Sequence, residues 1–218
     1  TPAESVPVVQ RQVITLGQKY AKPTIVATQM LLSMVDLPEP TRAEVSDVAT
    51  AVFIGADCVM LSDETATGKY PVEAVKTMKR VIMYAEQHPP FRVLYADERE
   101  PSIQHAISTG AISLAREINA AAIVAATKSG ATAREIACRR PETPLIAVTD
   151  ETRVAQQLTL VYGIKSYVRP VSPDAPQRLT DWLRENKVLK SGDIVVTLSG
   201  RYPGVVGTTD TIKVRVLE

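Results

Sequence analysis

Apolar runs that end in small polar residues set the first pattern in this chain, between Lys22 and Val75. Thr24-Ile25-Val26-Ala27 is a short β-rich run entered through Lys22-Pro23, with helical periodicity on either side. The next helix opens at the capping box Thr41-Arg42-Ala43-Glu44, turns Val45, Val48, Ala49 and Val52 inward, and stops at Gly55. A second strand, Asp57 to Leu61, ends in Ser62-Asp63-Glu64-Thr65, and Gly68-Lys69-Tyr70-Pro71 leads into a helix with Val75, Met78, Ile82 and Ala85 on one face. At the start, Thr1-Pro2-Ala3-Glu4 reads as another capping box, and Val9, Val13, Leu16 and Tyr20 give the first helix a face for a sheet to cover. This is β/α alternation, so the strands should be parallel and buried, with ligands meeting their carboxyl ends. Thr28, Ser62 and Glu64 fall there. Two consecutive strands with the same polar ending favour a site over a chain simply turning into solvent.

The pattern breaks at His88-Pro89-Pro90 and stays without period to Pro101, which reads as a connection between domains. The expected division is therefore residues 1–88, a linker over 89–100, and a second domain over 101–218. Beyond the break, Ile103, Ala106, Ile107, Gly110, Ala111, Leu114 and Ile118 form an amphipathic helix. Strand and helix then alternate: a strand at Ala122 to Ala126, a helix from Ala131, a strand at Leu145 to Val148, a helix from Arg153, and a strand at Ser166 to Val168. A helix burying Leu179, Trp182 and Leu183 follows, and Asp193 to Leu198 and Thr211 to Leu217 read as strands around a Gly-rich loop. That is a three-layer α/β pattern with its own core. The first part, a parallel pair with unpaired edges, suits the last β/α units of a TIM-type barrel.

Composition narrows the function classes. With 218 residues, 45% hydrophobic and 22% charged, the chain is of ordinary globular balance and long enough for one or two domains. Basic and acidic residues number 25 and 24, and no basic run is interleaved with aromatics, which argues against nucleic acid as a partner. The longest apolar run, Ala120 to Ala126, is far short of the ~20 residues a membrane span needs, so no membrane contact is expected and a cytoplasmic protein is the default. Cys58 and Cys138 lack Cys-x-x-Cys spacing and read as reduced core thiols. His88 and His105 are isolated, which leaves no metal site of the Cys/His kind.

A resemblance adds to this reading. The runs Lys22-Pro23-Thr24-Ile25-Val26-Ala27-Thr28-Gln29-Met30 and Pro40-Thr41-Arg42-Ala43-Glu44 resemble the pyruvate kinase family. So do Ser46-Asp47-Val48-Ala49, Gly55-Ala56-Asp57-Cys58-Val59-Met60-Leu61-Ser62, Glu64-Thr65-Ala66 and Gly68-Lys69-Tyr70-Pro71. The likeness is dense to Pro89, sparser afterwards, and confined to the carboxyl-terminal half of that enzyme. It implies transfer of the phosphoryl group of phosphoenolpyruvate to ADP, magnesium and potassium as cofactors of the parent enzyme, and a homo-oligomer, usually a tetramer. Thr28 would orient the substrate, with Ser62 and Glu64 in the network near the protonation face. The family has Gly where this chain has Asp63, which adds a carboxylate beside Glu64. Its Arg-Gly-Asp run, catalytic Lys and metal ligands have no counterpart in the sequence, so the expectation is an inactive fragment beginning just after that run.

In the second domain, Thr127-Lys128-Ser129-Gly130-Ala131-Thr132 sits between a buried strand and a helix start and offers hydroxyls, an ammonium and helix amides together. On its own it matches neither a Walker loop nor a dinucleotide fingerprint, and an ordinary capped turn explains it as well. The resemblance implies an allosteric site for a phosphorylated effector at Thr127, Lys128, Ser129, Gly130 and Thr132. It also implies an effector loop at Ser199 to Thr209, with Arg201 and Gly204 in it. Two alternatives remain at this stage: a separate phosphometabolite-binding module, and one half of a split enzyme.

Overall fold

The computed structural model describes residues 2–27, 29–88, 102–202 and 204–218. The chain divides into two compact units, Thr1–Asp97 and Glu98–Glu218. Among the described residues no helix is long and apolar enough to cross a membrane.

In the first unit, α1 (Val6–Lys19) precedes β1 (Ile25–Val26), α2 (Arg42–Phe53), β2 (Cys58–Val59), the single turn α3 (Asp63–Ala66) and α4 (Pro71–Gln87). The strands are parallel, with Ile25 opposite Cys58 and Val26 opposite Val59. Their entry is fixed by the Asp57 carboxylate, which accepts from the Thr24 amide at 2.8 Å. The core gathers Ile14, Met30, Leu31, Met34, Val48, Ala51, Ala74 and Met78.

Three expectations are corrected in this unit. Thr1 lies outside the described residues; a 3-10 turn at Ala3–Ser5 leads into α1, and Pro7 rather than Pro2 stands in the helix's first turn. The stripe Val9, Val13, Leu16 and Tyr20 is 42 to 62% exposed, and α1 instead buries Ile14, Gly17 and Gln18. Close approach explains the choice. A Cβ on Gly17 would lie 2.3 Å from the Thr24 methyl, and the Gln18 amide donates to the Gly55 carbonyl at 2.9 Å. The helix is therefore turned so that its smallest residue meets the strand entry. On α4, Val75 is likewise exposed, and Ala74, Thr77, Met78 and Ala85 face inward.

The second unit runs α5 (Ile103–Glu117), β3 (Ala122–Ala126), α6 (Ala131–Ala137), β4 (Leu145–Thr149), α7 (Thr152–Leu158), β5 (Ile164–Val168), α8 (Ala175–Glu185), β6 (Ile194–Gly200) and β7 (Thr209–Val216). One sheet has the order β5-β4-β3-β6-β7, with β3 parallel to β4 and β6, β4 parallel to β5, and β7 antiparallel to β6. The period-two geometry of β3 sends Ile123 and Ala125 into one core with Ala111, Ile136 and Leu158, and Ala122 and Val124 into another with Leu179 and Leu183. Helices α5, α6 and α7 thus cover one face and α8 the other, which is why β3 has no polar residue. Trp182, expected in the core, is 37% exposed: its ring meets the Tyr167 edge at 5.6 Å and carries the Arg169 guanidinium at 4.9 Å. Leu179 and Leu183, four apart, fill the buried stripe without it.

Candidate functional sites

At the carboxyl ends of β1 and β2 a buried carboxylate joins two loops. Glu64 is 1% exposed; its Oε1 accepts from the Leu31 amide at 3.0 Å and its Oε2 from the Ser62 amide at 2.7 Å. Leu31 belongs to the segment after β1 and Ser62 to the segment after β2, so one side chain sets the spacing of both strand ends. Ser62 is half-buried beside it, and Thr28 lies outside the described residues. Gln29 has φ +54°, a left-handed conformation that a non-glycine residue holds only when its surroundings impose it.

A second carboxylate holds the same loop. Glu44 accepts from the Ser33 amide at 2.7 Å and hydroxyl at 2.6 Å, and from the Thr41 amide at 2.7 Å and hydroxyl at 2.8 Å. The capping box was evident in the sequence; its extension to Ser33 was not, since nothing local links residues eleven apart. Farther along, the Lys69 amide donates to the Val35 carbonyl at 2.8 Å and its ammonium meets Asp36 at 2.8 Å.

Burial pulls the Glu44 carboxyl upward, but the Ser33 and Thr41 hydrogen bonds outweigh it and hold the group below the ordinary value of 4.5. A depressed folded value means that the contribution is complete above 4.5 and is lost as pH falls through the folded value. We therefore expect the first unit to lose stability on acidification through that range, and Glu44→Gln to flatten the loss. Urea midpoints against pH for both proteins check this; parallel curves contradict it.

In the second unit, a cavity of about 300 Å³ opens where β3, β4, β5 and β6 end. This is the crevice outside the carboxyl ends, beside the point where the strand order reverses around β3. Thr127, Lys128, Ser129 and Thr132 line it, as do Arg201 and Gly204. Gly130 stands behind the wall with φ +79°, where a Cβ would lie 2.9 Å from the Arg134 guanidinium and 3.2 Å from Leu158. Its role is to let the loop turn. The Thr132 and Thr209 hydroxyls share a buried hydrogen bond of 2.7 Å, which ties α6 to the start of β7. Because α6 has only seven residues, its dipole adds little, and the polar side chains set the character of the cavity.

Lys128 does not stand alone. Its ammonium donates to Asp150 at 2.5 Å and Glu151 at 2.6 Å, and these hydrogen bonds raise its pKa. Sequence reasoning missed Asp150 and two further cations in the wall, Arg169 and Lys213. Arg169 directly follows β5, so the strand-end argument applied to Thr28 and Ser62 would have found it.

Among the described residues no three His, Cys, Asp or Glu side chains come together, and both Glu64 oxygens are engaged by backbone amides.

Comparison with known proteins agrees with both units. Residues 1–75 match the family described as "Pyruvate kinase, barrel domain", and residues 105–215 match "Pyruvate kinase, alpha/beta domain". Pyruvate kinase 2 of Synechocystis sp. is 45% identical over 220 residues, covering 100% of this chain and 37% of the relative. A pyruvate kinase of Staphylococcus epidermidis is 41% identical over 227 residues, covering 99% and 38%. The crystal structure of a pyruvate kinase from Cryptosporidium parvum superposes with a TM-score of 0.90 at 35% identity, covering 100% of this chain and 44% of that one. The chain thus spans under two fifths of the curated relatives' length. With a parallel strand pair matched to the barrel and a three-layer unit matched to the α/β domain, the chain belongs to the pyruvate kinase family.

Proposed function

We propose that this chain is the carboxyl-terminal part of a pyruvate kinase, which moves the phosphoryl group of phosphoenolpyruvate to ADP and protonates the resulting enolate to pyruvate. The observation that carries the reading is the Glu64 carboxylate spanning both strand-end loops of a segment matched to the barrel domain. Such transfer depends on positioning and charge neutralisation more than on covalent help, and a rim held by buried hydrogen bonds meets the first requirement. In this proposal Thr28 orients the substrate, Ser62 stands at the protonation face, and Glu64 positions the loops that carry them. The setting proposed is glycolytic and cytoplasmic.

The second unit is proposed to bind a phosphorylated effector in the cavity at Thr127 to Thr132, with Arg201 and Gly204 on its outer wall. Hydroxyls of Thr127, Ser129 and Thr132 beside Arg169, Arg201 and Lys213 supply donors and positive charge for a phosphate monoester. Exposed Val9, Val13, Leu16 and Tyr20 on α1 fit an assembled homo-oligomer, and purely monomeric sedimentation would count against that.

In this proposal the catalytic Lys and the magnesium and potassium ligands that the resemblance implies are supplied by polypeptide other than these 218 residues. Losing one preorganised charge stabiliser costs ~100- to 1000-fold, so the purified 218-residue chain should make no pyruvate from phosphoenolpyruvate and ADP above a metal-only control. Turnover above that control would overturn the proposal of inactivity.

A further inference from the structure

Phosphate-binding clefts present unengaged donors, yet the ammonium nearest this cavity's hydroxyl loop is already claimed. Lys128 Nζ lies 2.5 Å from Asp150 Oδ2 and 2.6 Å from Glu151 Oε1, so two of its three donors are committed. The contact is partly withdrawn from water, with side-chain exposures of 30% for Lys128 and 22% for Asp150. One positive and two negative charges leave the cluster at −1, with Lys128 and Asp150 lining the cavity. The other cations are placed differently. Arg169 rests over the Trp182 ring and donates to the Val168 carbonyl at 2.8 Å, Lys213 lies on β7, and the Arg201 side chain is 74% exposed with Asp210 3.9 Å away.

We infer that Asp150 and Glu151 act as an internal competitor for phosphate: they occupy Lys128, and a phosphate monoester takes the cavity by displacing them. The inference rests on reading the cavity as a phosphate site. It gives that site a regulatory consequence, because Lys128 follows β3 whereas Asp150 and Glu151 lead into α7. The ion cluster latches two strand-end loops, joining Lys128 to partners 22 and 23 residues further along the sequence, and displacement releases the α7 end. The carboxylates thereby hold affinity down, so that effector must accumulate before the latch opens. A dianion competes better than a monoanion, since it must outweigh two carboxylates for one ammonium.

Calorimetric titration of the 218-residue chain with inorganic phosphate and with glucose 6-phosphate tests this, using Asp150→Asn and Glu151→Gln singly and together. These near-isosteric changes sit at partly exposed positions, and either single variant serves if the double variant fails to fold. Binding about tenfold tighter in the double variant is expected, the order for charges removed a few ångströms from a bound dianion. In a Lys128→Met background the gain should vanish. Binding by the parent chain with no gain in the variants would overturn the inference and leave the phosphate site standing. A gain that persists without Lys128 would also overturn it, because the carboxylates would then act by direct repulsion. No binding by any variant would overturn the phosphate site itself.

Discussion

Glu64→Ala should destabilise the first unit by roughly 3 to 5 kcal/mol and release the segments after β1 and β2 together. The side chain is 1% exposed and accepts from the Leu31 and Ser62 amides. Alanine removes both acceptors, so two buried N–H groups lose their partners, at about 1 to 3 kcal/mol each, beside a new void. Glu64→Gln keeps one acceptor but points an NH2 group at the other amide and should cost nearly as much. Hydrogen exchange reads the effect directly: protection at the Leu31 and Ser62 amides should fall together while that of β3 and β6 is unchanged. Unaltered exchange at those two amides would show that other contacts set the loops.

Gly200→Ala should be the most damaging small change in the second unit. Gly200 lies at the irregularity between β6 and β7, where the register shifts at Ser199/Gly200. A Cβ there would fall 2.4 Å from the Thr208 hydroxyl and 2.7 Å from its carbonyl oxygen. The hydroxyl can rotate away; the carbonyl belongs to the backbone and cannot. The hairpin must therefore open, at a cost of about 2 to 3 kcal/mol, carrying Thr209 away from Thr132 and widening the cavity. Weaker phosphate binding with a lower melting temperature is expected. A variant that melts and binds like the parent would mean that the hairpin absorbs a methyl group without moving.

What the sequence revealed, and what it hid, follows from the range of the interactions. Strands β1, β2, β3 and β4 were legible as short apolar runs, and their polar ends marked where a site would lie; burial was foreseen correctly for β3 and β4 only, since Ile25 is 51% exposed and Val26, Cys58 and Val59 are half-buried. The capping box of α2 was legible for the same local reason. The face of α1 was misread because that helix carries more apolar residues than this unit buries: the stripe with the stronger hydrophobic pattern is exposed, and the inward face is chosen by Gly17 fitting Thr24. Trp182 was assigned to the core along with Leu179 and Leu183, yet it is 37% exposed and supports Arg169 from outside. The bonds that define the sites join distant positions. Glu64 reaches Leu31 across 33 residues, Lys128 reaches Asp150 across 22, and Thr132 reaches Thr209 across 77. No periodicity records such pairings.

The most direct test of the account is pyruvate formation by a chimera in which this chain replaces the matched region of the Synechocystis relative. The account predicts transfer from phosphoenolpyruvate to ADP in the chimera and none in the 218-residue chain alone. A folded, correctly assembled chimera without activity would contradict it.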